Sequence, residues 1–433
     1  MRVVDVVVVG AGPAGAAASI ELARAGRDVA LIDRATFPRD KCCGDGLTTG
    51  ALRHLDDLGL DPSAVASWHP VDACWVRSPS GRTVRFPFPD DGLFGAVARR
   101  VDLDAALVDL ARSAGATVHQ GHGFESLAAS GEGVTVRAHG MEPVGARYLI
   151  AADGMWSPVR KAVGLGEPDY LGEWHAFRQY IRSPGEESHR LWVWFEPQLL
   201  PGYAWCFPLP GGIANVGFGI RRATGSPTRS MGETWRRLLD VPHVRHTLGE
   251  GAAAEAPHKA WPIPTRLPDT AVAALGGRVL LAGDAARASD PLTGEGIGQA
   301  LETGRSAAEA ILVAGPRSPG AAAARHQAGL RRGMAVDHRL GGLLSHALTT
   351  PAGARAAVRI AGATPWTRQN FARWLFEDYP RAVVGTANRW HRGVLHGPGA
   401  FTGARAANRD RRGRPVRAIS EDQRAISEDH RTR

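Results

Sequence analysis

Val3-Val4-Asp5-Val6-Val7-Val8-Val9-Gly10-Ala11-Gly12-Pro13-Ala14-Gly15 is a short β-branched run that ends in Gly-x-Gly-x-x-Gly. A continuous apolar run of this length reads as a strand buried on both faces of a parallel sheet. The sequence therefore predicts a strand over 3–9, an alanine-rich helix over 12–25 stopped by Gly26, and a second strand over 28–33. This is β-α-β order from the first residues. Gly10 permits the tight turn, Gly12 lets the backbone approach a pyrophosphate, and Gly15 lets the helix lie close on the strand. Pro13 and Ala14 open the helix, whose unpaired N–H groups and positive dipole end suit phosphate. Asp33 lies 18 residues past Gly15, at the end of the second strand. It is placed to accept from ribose hydroxyls, with Arg34 beside it.

Outward from this unit the texture changes twice. A helix is expected over 102–114, strands at 117–118, 133–138 and 148–152, and then an Ala-Ala-Asp-Gly turn. From about 166 to 272 the chain becomes aromatic and alternating. Over 213–220, Ala214, Val216, Phe218 and Ile220 share one face and Asn215, Gly217 and Gly219 the other, as in an antiparallel strand with one covered face. A buried strand returns at 279–282, followed by an alanine-rich helix from about 296. Residues 321–398 read as helical, with interruptions at Pro351, Pro365 and Pro380. The end repeats itself, RAISEDQ at 417–423 and RAISEDH at 424–430, which reads as a disordered tail.

At 433 residues, 44% hydrophobic and 22% charged, the chain has the composition of a multidomain soluble protein. No apolar run approaches the roughly 18–20 residues of a bilayer span, and the first residues lack a secretory signal, so the expectation is cytoplasmic. The cysteines Cys42, Cys43, Cys74 and Cys206 spell neither a disulfide framework nor a metal pair. The net charge of +9 is not read as nucleic-acid binding. Only Lys41, Lys161 and Lys259 are lysines, and the tail over 401–433 holds nine arginines against five acids, +4 of the total. That tail is a candidate contact for anionic lipid.

Two later motifs decide between dinucleotides. Ala152-Asp153-Gly154, with Ser157 and Arg160 behind it, follows one strand; Gly283-Asp284-Ala285-Ala286 follows another, and Pro291-Leu292-Thr293-Gly294-Glu295-Gly296 opens a helix at Ile297. In this order they resemble the FAD oxidoreductases with the para-hydroxybenzoate hydroxylase fold, over roughly 1–165 and 275–335. The resemblance implies an α/β Rossmann-type FAD domain, an antiparallel β substrate domain and a C-terminal helical region. The FAD domain is placed at 1–75, 98–165 and 275–335, the substrate domain at 76–97 and 166–274, the helical region at 336–400 and the basic tail at 401–433. It further implies that Asp284 holds the ribityl chain and that the helix start Gly294-Glu295-Gly296-Ile297, with Pro291, faces the flavin's pyrimidine edge. By the same likeness Arg100 contacts the flavin, its alternative being a solvated helix-start arginine. Asp153 is either a cofactor contact or a turn acid. No second Gly-x-Gly-x-x-Gly follows a strand, so electrons come from NAD(P)H bound transiently or from a reductase partner.

Two further segments narrow the chemistry. Phe37-Pro38-Arg39-Asp40-Lys41-Cys42-Cys43-Gly44-Asp45-Gly46-Leu47 follows the ribose-binding strand, and Pro201-Gly202-Tyr203-Ala204-Trp205-Cys206-Phe207-Pro208 precedes Gly217-Phe218-Gly219. Together they resemble the geranylgeranyl reductase family, and most closely its actinobacterial members that saturate an isoprene unit of menaquinone. The likeness implies hydride from reduced flavin to a polyprenyl double bond, with Cys43, Tyr203 and Trp205 at the reacting bond and Gly44 at the flavin. Tyr203, Trp205 and Phe207 share a strand face and offer an apolar wall; alternatively they are core. Seven of the twelve tryptophans fall between 156 and 261. Gly217 and Gly219 either leave room for the chain or mark a bulge. Lys41 and Arg39 are expected to lower the Cys43 pKa; otherwise Cys43 is a packing residue. An isolated alkene needs a proton as it accepts hydride, and no sequence feature identifies that donor. The rivals are an aromatic hydroxylase or halogenase, for which Trp192-Val193-Trp194-Phe195-Glu196-Pro197 is a half match to the halogenase pattern, and a non-catalytic flavin scaffold. A lipid substrate without a spanning helix also implies peripheral membrane contact.

Overall fold

In the computed structural model, which describes residues 2–222, 230–386, 389–391 and 393–402, the opening run forms the strand Arg2–Val9, the helix Pro13–Arg24 and the strand Val29–Asp33. They enter a sheet whose parallel order is Val279–Leu281, Val144–Ala151, Arg2–Val9, Val29–Asp33 and Thr117–Gln120. Val6 and Val8 pack under the helices Pro13–Arg24, Arg100–Ser113 and Ile297–Ala314. Val7 and Val9 face the hairpin Phe124–Ala129 and Val134–Ala138, with Leu330 and Met334. Both faces are covered, which is why the run is apolar throughout. The first helix can be so rich in alanine because the helix Ile297–Ala314 crosses it almost backbone to backbone: a Cβ on Gly304 would stand 2.1 Å from the Ala14 carbonyl oxygen. Parallel strands end on one side. Gly10, Asp33, Asp153 and Gly283, which lie at the ends of four of them, therefore gather along one edge, where open α/β sheets bind ligands.

The second sheet runs Ala253–Ala254, Trp174–Arg182, Ile213–Arg221, Tyr203–Leu209, Leu191–Trp194, Ala73–Arg77, Thr83–Pro87, with Lys259–Ile263 also paired to Trp174–Arg182. It is antiparallel except between Leu191–Trp194 and Ala73–Arg77. The helices Met231–Leu239 and Pro242–Leu248 cover one face, where Phe177 stacks on Phe218 at 5.4 Å and meets Trp235 at 5.3 Å. The strand Ile213–Arg221, expected to have one covered face, has two. Ala214, Val216 and Phe218 lie under the helices, while Asn215 is equally buried beneath the loop that carries Cys43.

Hydrogen-bond pairing redraws the domain limits. The boundary at 75/76 falls inside the strand Ala73–Arg77, whose partners belong to the second sheet. Gly95–Val97, assigned to that sheet, instead joins Gly46–Thr48 and His69–Pro70 in a small sheet of three. Ala273–Ala274 pairs with Val279–Leu281 in the first sheet, so that domain resumes just before 275. The C-terminal region consists of the helices Met334–Ala347, Pro351–Ala361 and Pro365–Leu375. Phe401 meets Trp68 edge-on at 5.8 Å and its amide donates to Asp56. The rest of the expected tail, from 403, lies outside the described residues.

Candidate active site

The three glycines of the loop do different work. A Cβ on Gly10, whose φ is +100°, would lie 2.3 Å from the Ala152 carbonyl oxygen, and one on Gly15 only 1.7 Å from that of Gly10. Both are required by the protein's own packing. At Gly12 the first atoms met are Arg39 Nη2 at 3.7 Å and Arg100 Nη2 at 3.8 Å. The space is open, and two guanidiniums border it. Arg100 is 5% exposed, not a solvated helix-start residue. Its Nε and Nη2 each donate to Asp104 at 2.7 Å, while Arg39 Nη1 sits 2.8 Å from the same carboxylate. Two cations against one buried anion leave positive charge beside the helix N-terminus, as a pyrophosphate requires. Asp33 is held by the amides of Ala11 at 2.7 Å and Ala35 at 2.8 Å, with Arg34 exposed at its side. This cradle fits a dinucleotide.

Further along the edge the expected contacts divide. Gly283 has φ +59°, and its amide donates to Thr303 Oγ1 at 2.8 Å. Asp284 lines the cavity and pairs with Lys41 at 3.1 Å. Asp153 makes the bonds of a turn acid, accepting from Ser157 Oγ at 2.5 Å and from the Val159 amide at 2.9 Å, and it also lines the cavity. Burial lifts its pKa to about 6. The start of the helix Ile297–Ala314 carries its own cap. The amides of Ile297 and Gly298 both donate to Glu295 Oε1 at 3.0 Å, so the helix caps itself. Burial, with Glu377 close by, raises Glu295 to about 8, which leaves it protonated at neutral pH. Gly294, Glu295, Gly296 and Ile297 all line the cavity wall. Pro291 packs instead against the helix Met334–Ala347, 3.3 Å from the position of a Cβ on Gly341.

Cradle and second sheet enclose one cavity of about 690 Å³. Tyr203, Trp205 and Phe207 line it in a row, ring centres 6.0 and 6.1 Å apart. Trp205 is fixed by an Nε1–H bond to Asn215 Oδ1 at 3.0 Å, and Tyr203 by its hydroxyl donating to the Thr293 carbonyl. The row is a cavity wall as well as core. The two glycines separate. A Cβ on Gly217 would come within 2.4 Å of both the Trp205 ring and the Phe177 carbonyl oxygen, so Gly217 seats the indole and does not face the cavity. Gly219 lines the cavity with nothing within 4 Å. Gly217→Ala is expected to cost about 1–3 kcal/mol by overpacking, read as a lower Tm. Gly219→Ala should leave stability within about 0.5 kcal/mol while raising KM for a bulky apolar substrate.

The loop after the ribose strand places Cys43, Gly44 and Asp45 against this wall; a Cβ on Gly44 would touch Trp205 and Phe207 at 3.6 Å. The expectation that Lys41 and Arg39 depress the Cys43 pKa fails, because those cations are turned toward Asp284 and Asp104. Burial, with Asp45 beside it, pushes the thiol up to about 11 despite Arg100. Cys43 is therefore a protonated thiol. Sequence reasoning missed the group behind it. Asp45 is fully buried at φ +65°; its Oδ2 accepts from Tyr180 Oη at 2.6 Å and Asn215 Nδ2 at 2.8 Å, and its Oδ1 has no partner. The legible signals were a carboxylate set between two glycines, Gly44 and Gly46, and a lone asparagine in an otherwise apolar strand.

Residues 3–312 match the family model of the FAD binding domain. The chain belongs to this FAD-binding family. A menaquinone reductase of Mycobacterium tuberculosis is 36% identical over 335 residues, covering 71% of this chain and 76% of the relative. Digeranylgeranylglycerophospholipid reductase 1 of Methanopyrus kandleri is 33% identical over 324 residues, covering 72% and 80%. Among solved structures, a geranylgeranyl bacteriochlorophyll reductase-like protein from Thermoplasma acidophilum has a TM-score of 0.74 and 23% identity, covering 90% of this chain and 100% of that one. The halogenase PltM has a TM-score of 0.66 and 20% identity, covering 89% and 84%. At those identities both establish the fold. FAD is the dinucleotide of this family, and the cradle lined by Gly12, Asp33, Arg39, Arg100 and Asp284 has the space and charge to accept it.

Proposed function

We propose that the protein saturates C=C bonds of a polyprenyl chain, either a menaquinone side chain or a geranylgeranyl lipid, with NAD(P)H or a reductase partner as electron source. The observation that carries this reading is the meeting, in one cavity, of the FAD cradle, the aromatic row and the protonated Cys43 thiol. Reduced FAD, when bound, supplies hydride. The protein's own residues must exclude water, hold the alkene flat and deliver a proton. The row of Tyr203, Trp205 and Phe207 suits the first two tasks, since its rings are pinned by hydrogen bonds and packing. A thiol with a raised pKa suits the third, because it keeps its proton until a carbon begins to accept it. The relatives named above as menaquinone and digeranylgeranylglycerophospholipid reductases support the substrate class.

The halogenase reading loses its sequence support. Trp192 and Trp194 are buried in the core beneath the second sheet, and Glu196 pairs with His243 at 2.9 Å. None of the three lines the cavity. The test is mass spectrometry after incubation with reductant and, in separate reactions, menaquinone or a geranylgeranyl lipid. The expected product carries two more hydrogens per bond reduced; recovery of both lipids unchanged would refute the reading.

For membrane contact we favour the C-terminal helices. Among the described residues no helix is long and apolar enough to cross a bilayer. Residues 338–376 contain five arginines and no acid. Leu343 and Ile360 are 71% exposed and Trp366 65%, with Arg339, Arg355 and Arg359 also exposed. Apolar anchors among cations suit an anionic bilayer surface. Ile360→Glu combined with Trp366→Ala should at least halve cosedimentation with anionic liposomes at low salt, about the effect of removing one anchor-and-charge patch, and leave FAD content intact. Unchanged cosedimentation would move the contact elsewhere.

A further inference from the structure

We propose that Asp45 is the source of the proton that reaches the alkene, acting through Cys43. The inference rests on the reductase reading above. Asp45 is 0% exposed, and its Oδ1 is a buried carboxyl oxygen without a hydrogen-bond partner. Burial without a partner costs an ionised carboxylate oxygen far more than it costs a neutral carboxylic acid. The residue stands at φ +65° between Gly44 and Gly46, where glycine would relax the backbone. An aspartate kept there points to a use for its side chain.

The surroundings link it to the thiol. The Asp45 amide donates to Cys43 Sγ at 3.3 Å, and Asn215 Nδ2 bridges the Cys43 carbonyl oxygen at 2.9 Å and Asp45 Oδ2 at 2.8 Å. Asn215 also holds Trp205, so acid, thiol and aromatic wall share one hydrogen-bonded frame. Among the described residues, Asp45 also acts on the Cys42 thiol, and other charged groups crowd it. Tyr180 and Arg178 come from the strand Trp174–Arg182, with Arg178 over the Tyr180 ring at 4.1 Å and paired to Asp40. Arg99 also lies over the Tyr180 ring, at 4.4 Å, and Arg100 acts on Asp45 from the start of the helix Arg100–Ser113. Burial outweighs the hydrogen bonds and the arginines and sets the carboxyl at about 6.

The π bond breaks; one carbon takes the hydride that reduced FAD supplies, and the other takes the Cys43 S–H proton. The Asp45 carboxyl, whose Oδ1 makes no hydrogen bond to the sulfur at rest, then turns to return a proton to it and becomes a carboxylate, which solvent reprotonates after product leaves. Asp45 is a positioning and proton-supplying residue here, and Cys43 is the group that touches substrate. Since Asp45 must be protonated, turnover should be highest below about 6 and fall as pH rises through the carboxyl pKa.

Three variants test this: Asp45→Asn, Asp45→Glu and Tyr180→Phe, each checked for FAD content. Asp45→Asn should lose about tenfold or more in turnover, lose the falling alkaline limb, and lose from its infrared spectrum a carboxylic-acid band that titrates in the wild type. Asp45→Glu should recover part of the rate and the limb. Tyr180→Phe removes a donor that stabilises the carboxylate, so the limb and the infrared titration should both move to higher pH; a purely structural role would not shift them. An Asp45→Asn enzyme with wild-type rate and pH profile would overturn the proposal and leave the reductase reading standing. A wild-type protein that reduces no polyprenyl lipid would sink the reading, while the infrared titration would still decide whether Asp45 is a neutral acid.

Discussion

Cys43→Ser is expected to lower alkene reduction by about 10²-fold and at least tenfold, the usual worth of a positioned proton donor. A serine hydroxyl can occupy the place but is a far weaker acid toward carbon. FAD content and the rate of flavin bleaching by reductant should be unchanged, because neither uses the thiol. Cys42→Ser is the internal control. Cys42 Sγ donates to the Lys259 carbonyl oxygen at 3.4 Å and accepts no hydrogen bond from the Asp45 amide, which goes to Cys43, so its loss should be mild. Equal losses in both variants would show that the loop matters only for its shape. Near-normal turnover in Cys43→Ser would return that residue to a packing role.

Gly12→Val should abolish FAD retention and leave the fold intact. The nearest atoms to a Cβ there are the ends of two arginine side chains at 3.7 and 3.8 Å, so the protein itself has room. The added atoms fill the space against which a pyrophosphate must press. Purified Gly12→Val should be colourless with a Tm close to that of FAD-free wild type. Gly15→Ala gives the contrasting result. A methyl 1.7 Å from the Gly10 carbonyl oxygen must displace the helix from the strand, so stability and FAD fall together. A yellow Gly12→Val protein would mean that the dinucleotide does not cross this loop.

How far the sequence could be read follows from the range of the interactions. The opening unit was legible because its determinants are local: the β-branched run, the glycine spacing and Asp33 sit within one β-α-β stretch. The aromatic row was legible too, since alternation along one strand sets a face. What escaped are pairings across the chain. Tyr180 and Asn215 reach Asp45 over separations of 135 and 170 residues. No periodicity shows that a loop at 43–46 will cover the face on which Asn215 and Gly217 lie. The error over the Cys43 pKa has the same origin. Lys41 and Arg39 are neighbours in sequence, but each is drawn to a carboxylate, Asp284 or Asp104, contributed from elsewhere, while burial governs the thiol. Likewise, the sequence does not reveal that Glu295, at the cavity-lining start of the helix at Ile297, turns back onto its own helix.

Electrons are expected to leave this protein for an alkene and not for oxygen. The direct measurement is anaerobic: the FAD-loaded protein is reduced until its yellow colour is bleached, excess reductant is removed, and an unsaturated polyprenyl lipid is added in the absence of oxygen. The expected result is return of the flavin absorbance with one double bond saturated for each flavin reoxidised. A flavin that stays bleached with the lipid and recovers only when oxygen is admitted would contradict the account.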